Sequence, residues 1–384
     1  MPSDRLFGPS LTTPEMADAV GEAAWLAGML RFEAALAAAQ AKVGTVPPDA
    51  ANAIRAACDP ARFDVAAIGR EAGASATPVV PLVDALRRAV GPTAAQFVHL
   101  GATSQDAIDT AMMLVARDGL DLLIADLAGL ASRSAALAQR HRNTPMAGRT
   151  LLMRARPITF GFKAATWLVG VTEARVRLLE IRRGRLAVQL GGAVGTRDSF
   201  GAAGAELQTQ IARELGLMEA QPIPWHANRG RVAEIGAALA IAAGAAAKIA
   251  LDVILLSQTE VGEVAEASPG RSSTMPDKRN PAHATLARAA FAGAVAQANV
   301  LIAAVPGEHE RSAGVWQSEW PALSEAFRLT AGAVARASDA ITDLVVDEQR
   351  MLANLGPGDA RDLESAGALV DRALAFYRTQ EEKR

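Results

Sequence analysis

Residues 235 to 256 read Ile-Gly-Ala-Ala-Leu-Ala-Ile-Ala-Ala-Gly-Ala-Ala-Ala-Lys-Ile-Ala-Leu-Asp-Val-Ile-Leu-Leu. Alanine and leucine favour helix, and the apolar residues cover nearly every face of the helix they would form. A membrane span is one reading of such a run. Against it stand Lys248 and Asp252, both costly in a bilayer. The alternative is a helix buried at the centre of a bundle, and the helical pattern around it extends over 229–267.

Working outward, a polar loop follows at 268–283, and helical patterns resume over 281–304 and 318–344. Upstream lie patterns over 202–215, 159–185 and 106–141, the last about 54 Å long at 1.5 Å per residue. Thr13-Pro14 opens a further helix that runs past Leu36 and Ala39 and is stopped by Gly44 and Pro47-Pro48. Shorter helices are expected over 49–58, 60–73 and 79–90. Nothing alternates with period two over a useful length, so strands should be scarce. The expectation is an all-α long-helix bundle: an N-terminal helical domain over 1–102, a central domain over 103–346 and a reduced C-terminal segment over 347–384. Helices this apolar should also pack between subunits.

The whole chain bounds the function. Its 384 residues are half hydrophobic with a net charge of -2, so no electrostatic case exists for nucleic acid or an acidic membrane surface. Cys58 is the sole cysteine, which excludes an internal disulfide and a multi-cysteine metal site and suits a cytoplasmic location. No N-terminal stretch has the order of a signal peptide.

The loop reads Ser-Pro-Gly-Arg-Ser-Ser-Thr-Met-Pro-Asp-Lys-Arg-Asn-Pro-Ala-His. Pro269-Gly270 breaks the incoming helix, and Asn280-Pro281 reads as an N-cap with proline at the first helical position. Ser272, Ser273, Lys278 and Arg279 are thereby placed beside a helix N-terminus, which favours anions. A serine there can act as a base or bind carboxylates; the rival reading is a polar linker with an ordinary cap. Gly191-Gly192-Ala193-Val194-Gly195-Thr196 lacks the preceding strand that a phosphate loop needs, and signals close backbone approach instead.

Three segments, 100–110, 148–157 and 271–281, resemble the signature regions of the fumarase/aspartase superfamily. The third is the most specific, through Ser272-Ser273-Thr274-Met275-Pro276, Lys278 and Asn280-Pro281. Within that superfamily the chain is most similar to its carboxymuconate cycloisomerase branch, on residues 29–36, 191–196, Pro224-Trp225-His226, 308–311, Trp316 and Glu319-Trp320. The resemblance implies a homotetramer whose active sites draw segments from three subunits. It also implies a small tricarboxylate substrate and neither metal nor organic cofactor.

By position, Ser272 matches the loop serine that exchanges a proton with the carbon beside a carboxylate. Lys278 and Asn280 match substrate-binding loop residues, Thr103 and Ser104 hydroxyls that bind a carboxylate, and His99 a histidine just before them. Arg149 and Thr150 match the second region. His226 and His309 lie near tryptophans as candidate substrate contacts, with ordinary packing as the rival. Arg229 is a candidate carboxylate ligand, with a solvated helix start as its rival.

Departures also inform. Leu151 stands where the elimination lyases carry histidine, Met153 where glutamine is usual, Arg271 for glycine and Asp277 for histidine. Expelling an amine or hydroxide needs a proton donor, whereas opening a lactone expels a carboxylate that leaves unprotonated. Leu151 therefore points to cycloisomerisation. The competing readings are an elimination lyase of the same superfamily and a scaffold that has lost catalysis.

Overall fold

The computed structural model describes residues 5–220, 222–355 and 363–382. Six long helices carry the architecture: α1 (Glu22–Lys42), α2 (Ser104–Arg140), α3 (Phe160–Gly184), α4 (Gly230–Leu256), α5 (Ala282–Ala303) and α6 (Val315–Ile341). A hairpin of β1 (Pro145–Thr150) and β2 (Met153–Thr159) lies between α2 and α3. A minimal pair, β3 (Val264–Ala265) and β4 (Val345–Val346), ties the segment after α4 to the end of α6. The all-α class holds.

Small residues set how closely the bundle packs. A Cβ on Gly236 of α4 would lie 2.7 Å from Leu301 of α5, and one on Gly244 would lie 3.4 Å from Phe291. These contacts also show that the two helices run antiparallel, with the start of α5 beside the end of α4. Both are long and apolar enough to cross a membrane by composition, yet the apolar stretch of α4 is more than half buried against other helices. The two charges of α4 answer each other: Lys248 reaches Asp252 at 2.6 Å, and Trp167 Nε1 donates to the same carboxylate at 2.7 Å.

Two hydrophobic cores meet along α2. One fills the bundle around Trp167, Leu239, Phe327 and Val334. The other gathers Leu30, Phe32, Ile54, Leu82 and Leu86 under α1 and takes in Val188, Leu190, Ile211 and Trp316. Ile108 and Leu114 of α2 belong to the second core, while Met112 and Met113 belong to the first. The first turns of α2 are thus the seam where the cores join. Gly28 of α1 sits against α2 with its absent Cβ 2.9 Å from the Ala111 Cβ. Gly28→Val should destabilise the chain by about 1–3 kcal/mol through overpacking. A urea midpoint equal to that of the parent would show that the crossing can yield.

Several boundaries differ from the sequence reading. Thr13 does cap a helix, accepting from Met16 N–H at 3.3 Å, but that helix is only Pro14–Ala19 and α1 starts afresh at Glu22. The pattern over 229–267 was one helix on paper; α4 ends at Leu256, and Gly262, at a φ of 59°, turns the chain away. Residues 149–157, where no period-two alternation announces a strand, lie in the hairpin. Its two-residue turn, Leu151-Leu152, carries none of the Asn-Gly chemistry that signals such turns. The C-terminal segment contains helices Glu348–Leu355 and Glu364–Glu382, while 356–362 and 383–384 lie outside the described residues.

Candidate active site

The first signature region surrounds one buried carboxylate. Asp106, in the first turn of α2, accepts from the Thr103 N–H at 3.1 Å and so caps its own helix. It also accepts from Gly191 N–H at 2.8 Å, Gly192 N–H at 3.0 Å and His226 Nε2 at 2.8 Å. The glycine turn is therefore a close approach of backbone to a carboxylate, and Gly192 adopts a φ of 72° to make it. Thr103 Oγ1 accepts from Arg311 at 2.6 Å, and the same guanidinium donates to the Ala193 carbonyl at 2.8 Å. Arg311 has no carboxylate partner among the described residues, so its charge remains uncompensated beside Thr103 and the half-buried Ser104. Nothing in local sequence pairs position 311 with 103.

One turn further along α2, Asp109 binds Arg229 through two oxygens at 2.7 and 3.0 Å, and also accepts from Trp316 Nε1 at 3.0 Å. Glu319 takes the other edge of Arg229, at 3.0 Å from Nε. Burial pushes the Glu319 carboxyl up against the pull of Arg229, while the two carboxylates hold Arg229 firmly charged. This corrects two expectations by geometry. Arg229 is 2% exposed with both edges engaged, so it offers a substrate carboxylate no open face. His226 is 4% exposed behind the glycine turn, and its Nε2 is engaged by Asp106. His309 lies on the exposed 307–314 loop at a φ of 48°.

The second region is the hairpin. Arg149 donates to the fully buried Glu263 at 2.9 and 2.6 Å, and Asn354 reaches the same carboxylate at 2.8 Å. Thr150 is exposed. Beyond it Leu151, Leu152 and Met153 are 96%, 78% and 72% exposed, with φ of 50° at Leu151 and 66° at Leu152. Left-handed leucines at an exposed tip are costly twice over, in backbone conformation and in solvation. His141, the other histidine near this end, is buried at the end of α2 against Thr144 and Glu348, and burial pushes its pKa down.

The third region is a loop closed at its base, where Gly270 and Asn280 exchange backbone hydrogen bonds of 2.8 and 3.0 Å. A Cβ on Gly270 would lie 2.6 Å from that of Ala282, which fixes the residue as glycine. Within the loop Ser272 Oγ accepts from Met275 N–H at 3.1 Å and Thr274 N–H at 3.3 Å. Two donors aimed at one hydroxyl oxygen favour its anionic form. Lys278 is exposed and Asn280 half-buried. The expected Asn280 cap is not made: α5 begins at Ala282, and the buried Glu266 accepts from His283 and Ala284 N–H at 3.2 and 2.9 Å. The helix dipole is answered by that carboxylate, so positive potential at Ser272 must come from the loop itself. Asp277 forms no ion pair with Arg271 or Arg279 among the described residues.

Comparison with known proteins decides the family. A model described as lyase matches residues 10–296. A 3-carboxy-cis,cis-muconate cycloisomerase of Bradyrhizobium diazoefficiens is 45% identical over 91% of this chain and 79% of its own. The chain belongs to this lyase family, the fumarase/aspartase superfamily. A second lyase-family relative, a nitrosuccinate lyase of Streptomyces davaonensis, is 47% identical over 91% of this chain and 76% of its own. Among solved structures, the 3-carboxy-cis,cis-muconate lactonizing enzyme of Pseudomonas putida superposes with a TM-score of 0.92 at 34% identity, covering 98% of this chain and 100% of that one.

Within one lyase-family subunit the signature regions do not converge. Arg229, bound to Asp109 near Thr103, precedes α4, whereas Glu263 and the Ser272 loop follow it. At 1.5 Å per residue, α4 separates the two ends by about 40 Å.

Proposed function

We propose that this protein is a cofactor-independent cycloisomerase that closes 3-carboxy-cis,cis-muconate to its carboxymuconolactone, reversibly. The observation that carries the reading is the likeness in sequence and fold to 3-carboxy-cis,cis-muconate cycloisomerases, and Leu151 at the hairpin tip, where the resemblance places the proton donor of the elimination lyases, agrees with it. In the opening direction Ser272 removes the proton beside one carboxylate, electrons form the double bond, and the ring carboxylate leaves unprotonated because it is a weak base. In the closing direction a carboxylate oxygen adds across the conjugated diene while Ser272 returns the proton. The carbanion between these events carries extra negative charge. Lys278, Asn280, Thr103, Ser104 and Arg311 are the groups we assign to bind it more tightly than the ground state.

Nitrosuccinate elimination is the second reading, favoured by the same tip and by the second relative, since nitrite is also a weak base that leaves without a proton. Two assays on the purified protein separate them. Cycloisomerisation consumes the diene absorbance of carboxymuconate and releases nothing; elimination from nitrosuccinate releases nitrite. If the diene absorbance persists and no nitrite appears, the scaffold reading remains.

We further propose a homotetramer in the cytoplasm, with each active site drawing on three subunits. Supporting the assembly are the roughly 40 Å of α4 that part the Arg229 end of one chain from its Ser272 end, the exposed leucine tip, and the apolar stretch of α5, less than a third of which is buried. An antiparallel neighbour brings the hairpin and loop of one subunit to the α2 start of another. Leu151→Ser with Leu152→Ser should weaken assembly and cut kcat together, read by sedimentation and by the diene assay. Unchanged assembly and unchanged kcat would remove the tip from the interface.

A further inference from the structure

Glu33, on α1, is the buried titratable group left without a part in the chemistry above. Its side chain is 1% exposed, and Oε1 lies 2.6 Å from His99 Nδ1. Its second oxygen, Oε2, is buried without a hydrogen-bond partner. A buried carboxylate served by one contact is costly unless that contact carries the opposite charge. His99 is held for the purpose. It sits at a φ of 60°, a conformation unfavourable for a residue with a side chain, and the next carbonyl, of Leu100, accepts from Gln40 Nε2 at 2.8 Å. Glu33 and Gln40 are seven residues apart, so one face of α1 fixes both the ring and the backbone of this loop. The His99 side chain keeps 12% exposure, and Nε2 has no hydrogen bond among the described residues. The edge away from Glu33 is therefore the open one, four residues before Thr103.

Resting on the polycarboxylate reading above, we infer that Glu33 is a positioning residue that holds His99 as an imidazolium, its Nε2–H presented to a substrate carboxylate. The charged neighbours agree in sign. Burial depresses the His99 pKa, but Glu33 on α1 and Asp106 on α2 overcome it and leave it raised, against an opposing contribution from Arg87 on the helix Val79–Val90. A raised value means that the cation, and binding through it, persists to higher pH and fades as pH climbs through that value.

Glu33→Gln tests this, because glutamine keeps an acceptor oxygen for Nδ1–H and removes only the charge. The imidazole of His99, assigned among the five histidines by its loss in His99→Gln, is titrated by NMR without substrate. Its midpoint should fall by about 1 or more in Glu33→Gln. Propane-1,2,3-tricarboxylate, measured by calorimetry, should bind about tenfold more weakly to Glu33→Gln at a pH between the two titrated midpoints, with the difference closing at a pH below both, where both imidazoles are protonated. His99→Gln should bind it more weakly at both pH values, and that arm decides the matter if Glu33→Gln fails to fold. An unmoved midpoint, or wild-type affinity in His99→Gln, overturns the inference. If the pair behaves as expected while carboxymuconate is not consumed, only the reaction reading falls.

Discussion

Ser272→Ala lowers kcat by about 10²- to 10⁴-fold, the usual range for a general acid–base group, with little change in thermal stability. The stability half follows from the setting. Ser272 is half-buried in a loop closed by the Gly270–Asn280 backbone pair, and the two N–H groups it accepts from, of Thr274 and Met275, lie at the surface where water replaces it. The catalytic half follows from those donors, which stabilise an oxyanion at Oγ as the proton departs. Lys278 adds charge from the same loop. The dipole of α5 adds little, because Glu266 already occupies its N-terminus. Steady-state kinetics on carboxymuconate, with a melting curve as the control, check both halves; a variant retaining more than half of wild-type kcat removes Ser272 as the proton carrier.

Arg229→Met costs about 3–5 kcal/mol of stability, the loss typical when one member of a buried ion pair is removed. Methionine keeps much of the volume but leaves Asp109 and Glu319 facing each other, both fully buried. Trp316 and Gln189 still donate to Asp109; among the described residues nothing comparable remains for Glu319. The sign of the pH dependence follows. Burial raises the Glu319 carboxyl even with Arg229 present, and without it the folded-state value rises further above the unfolded one. Such a group favours the folded state when protonated, so the deficit should shrink as pH falls from 7 toward 5. Urea unfolding at both pH values measures it. A deficit that grows on acidification would mean that the carboxylates remain ionised and find other partners.

The sequence made the long helices legible because their apolar residues recur with helical period over many turns. It was least reliable at boundaries that residue type does not mark. α4 stops at Leu256 although the apolar pattern runs on to 267, and Leu151-Leu152 turns a hairpin with residues that ordinarily avoid left-handed backbone. The Ser272 loop was legible because its residues are local to one another. The cap was not, because Glu266 reaches α5 from a preceding segment that spacing cannot link to it.

The amino-acid sequence by itself determined an all-helical bundle, the lyase signature segments and the absence of a proton donor at position 151. These depend on residue type, short-range order and periodicity. Only the tertiary structure decided that Arg229 and His226 are spent on buried carboxylates, that Arg311 reaches Thr103, and that Glu33 grips His99. Those pairings join residues 66 to 208 positions apart. Whether a charge is free for substrate depends on which distant partner folding delivers to it.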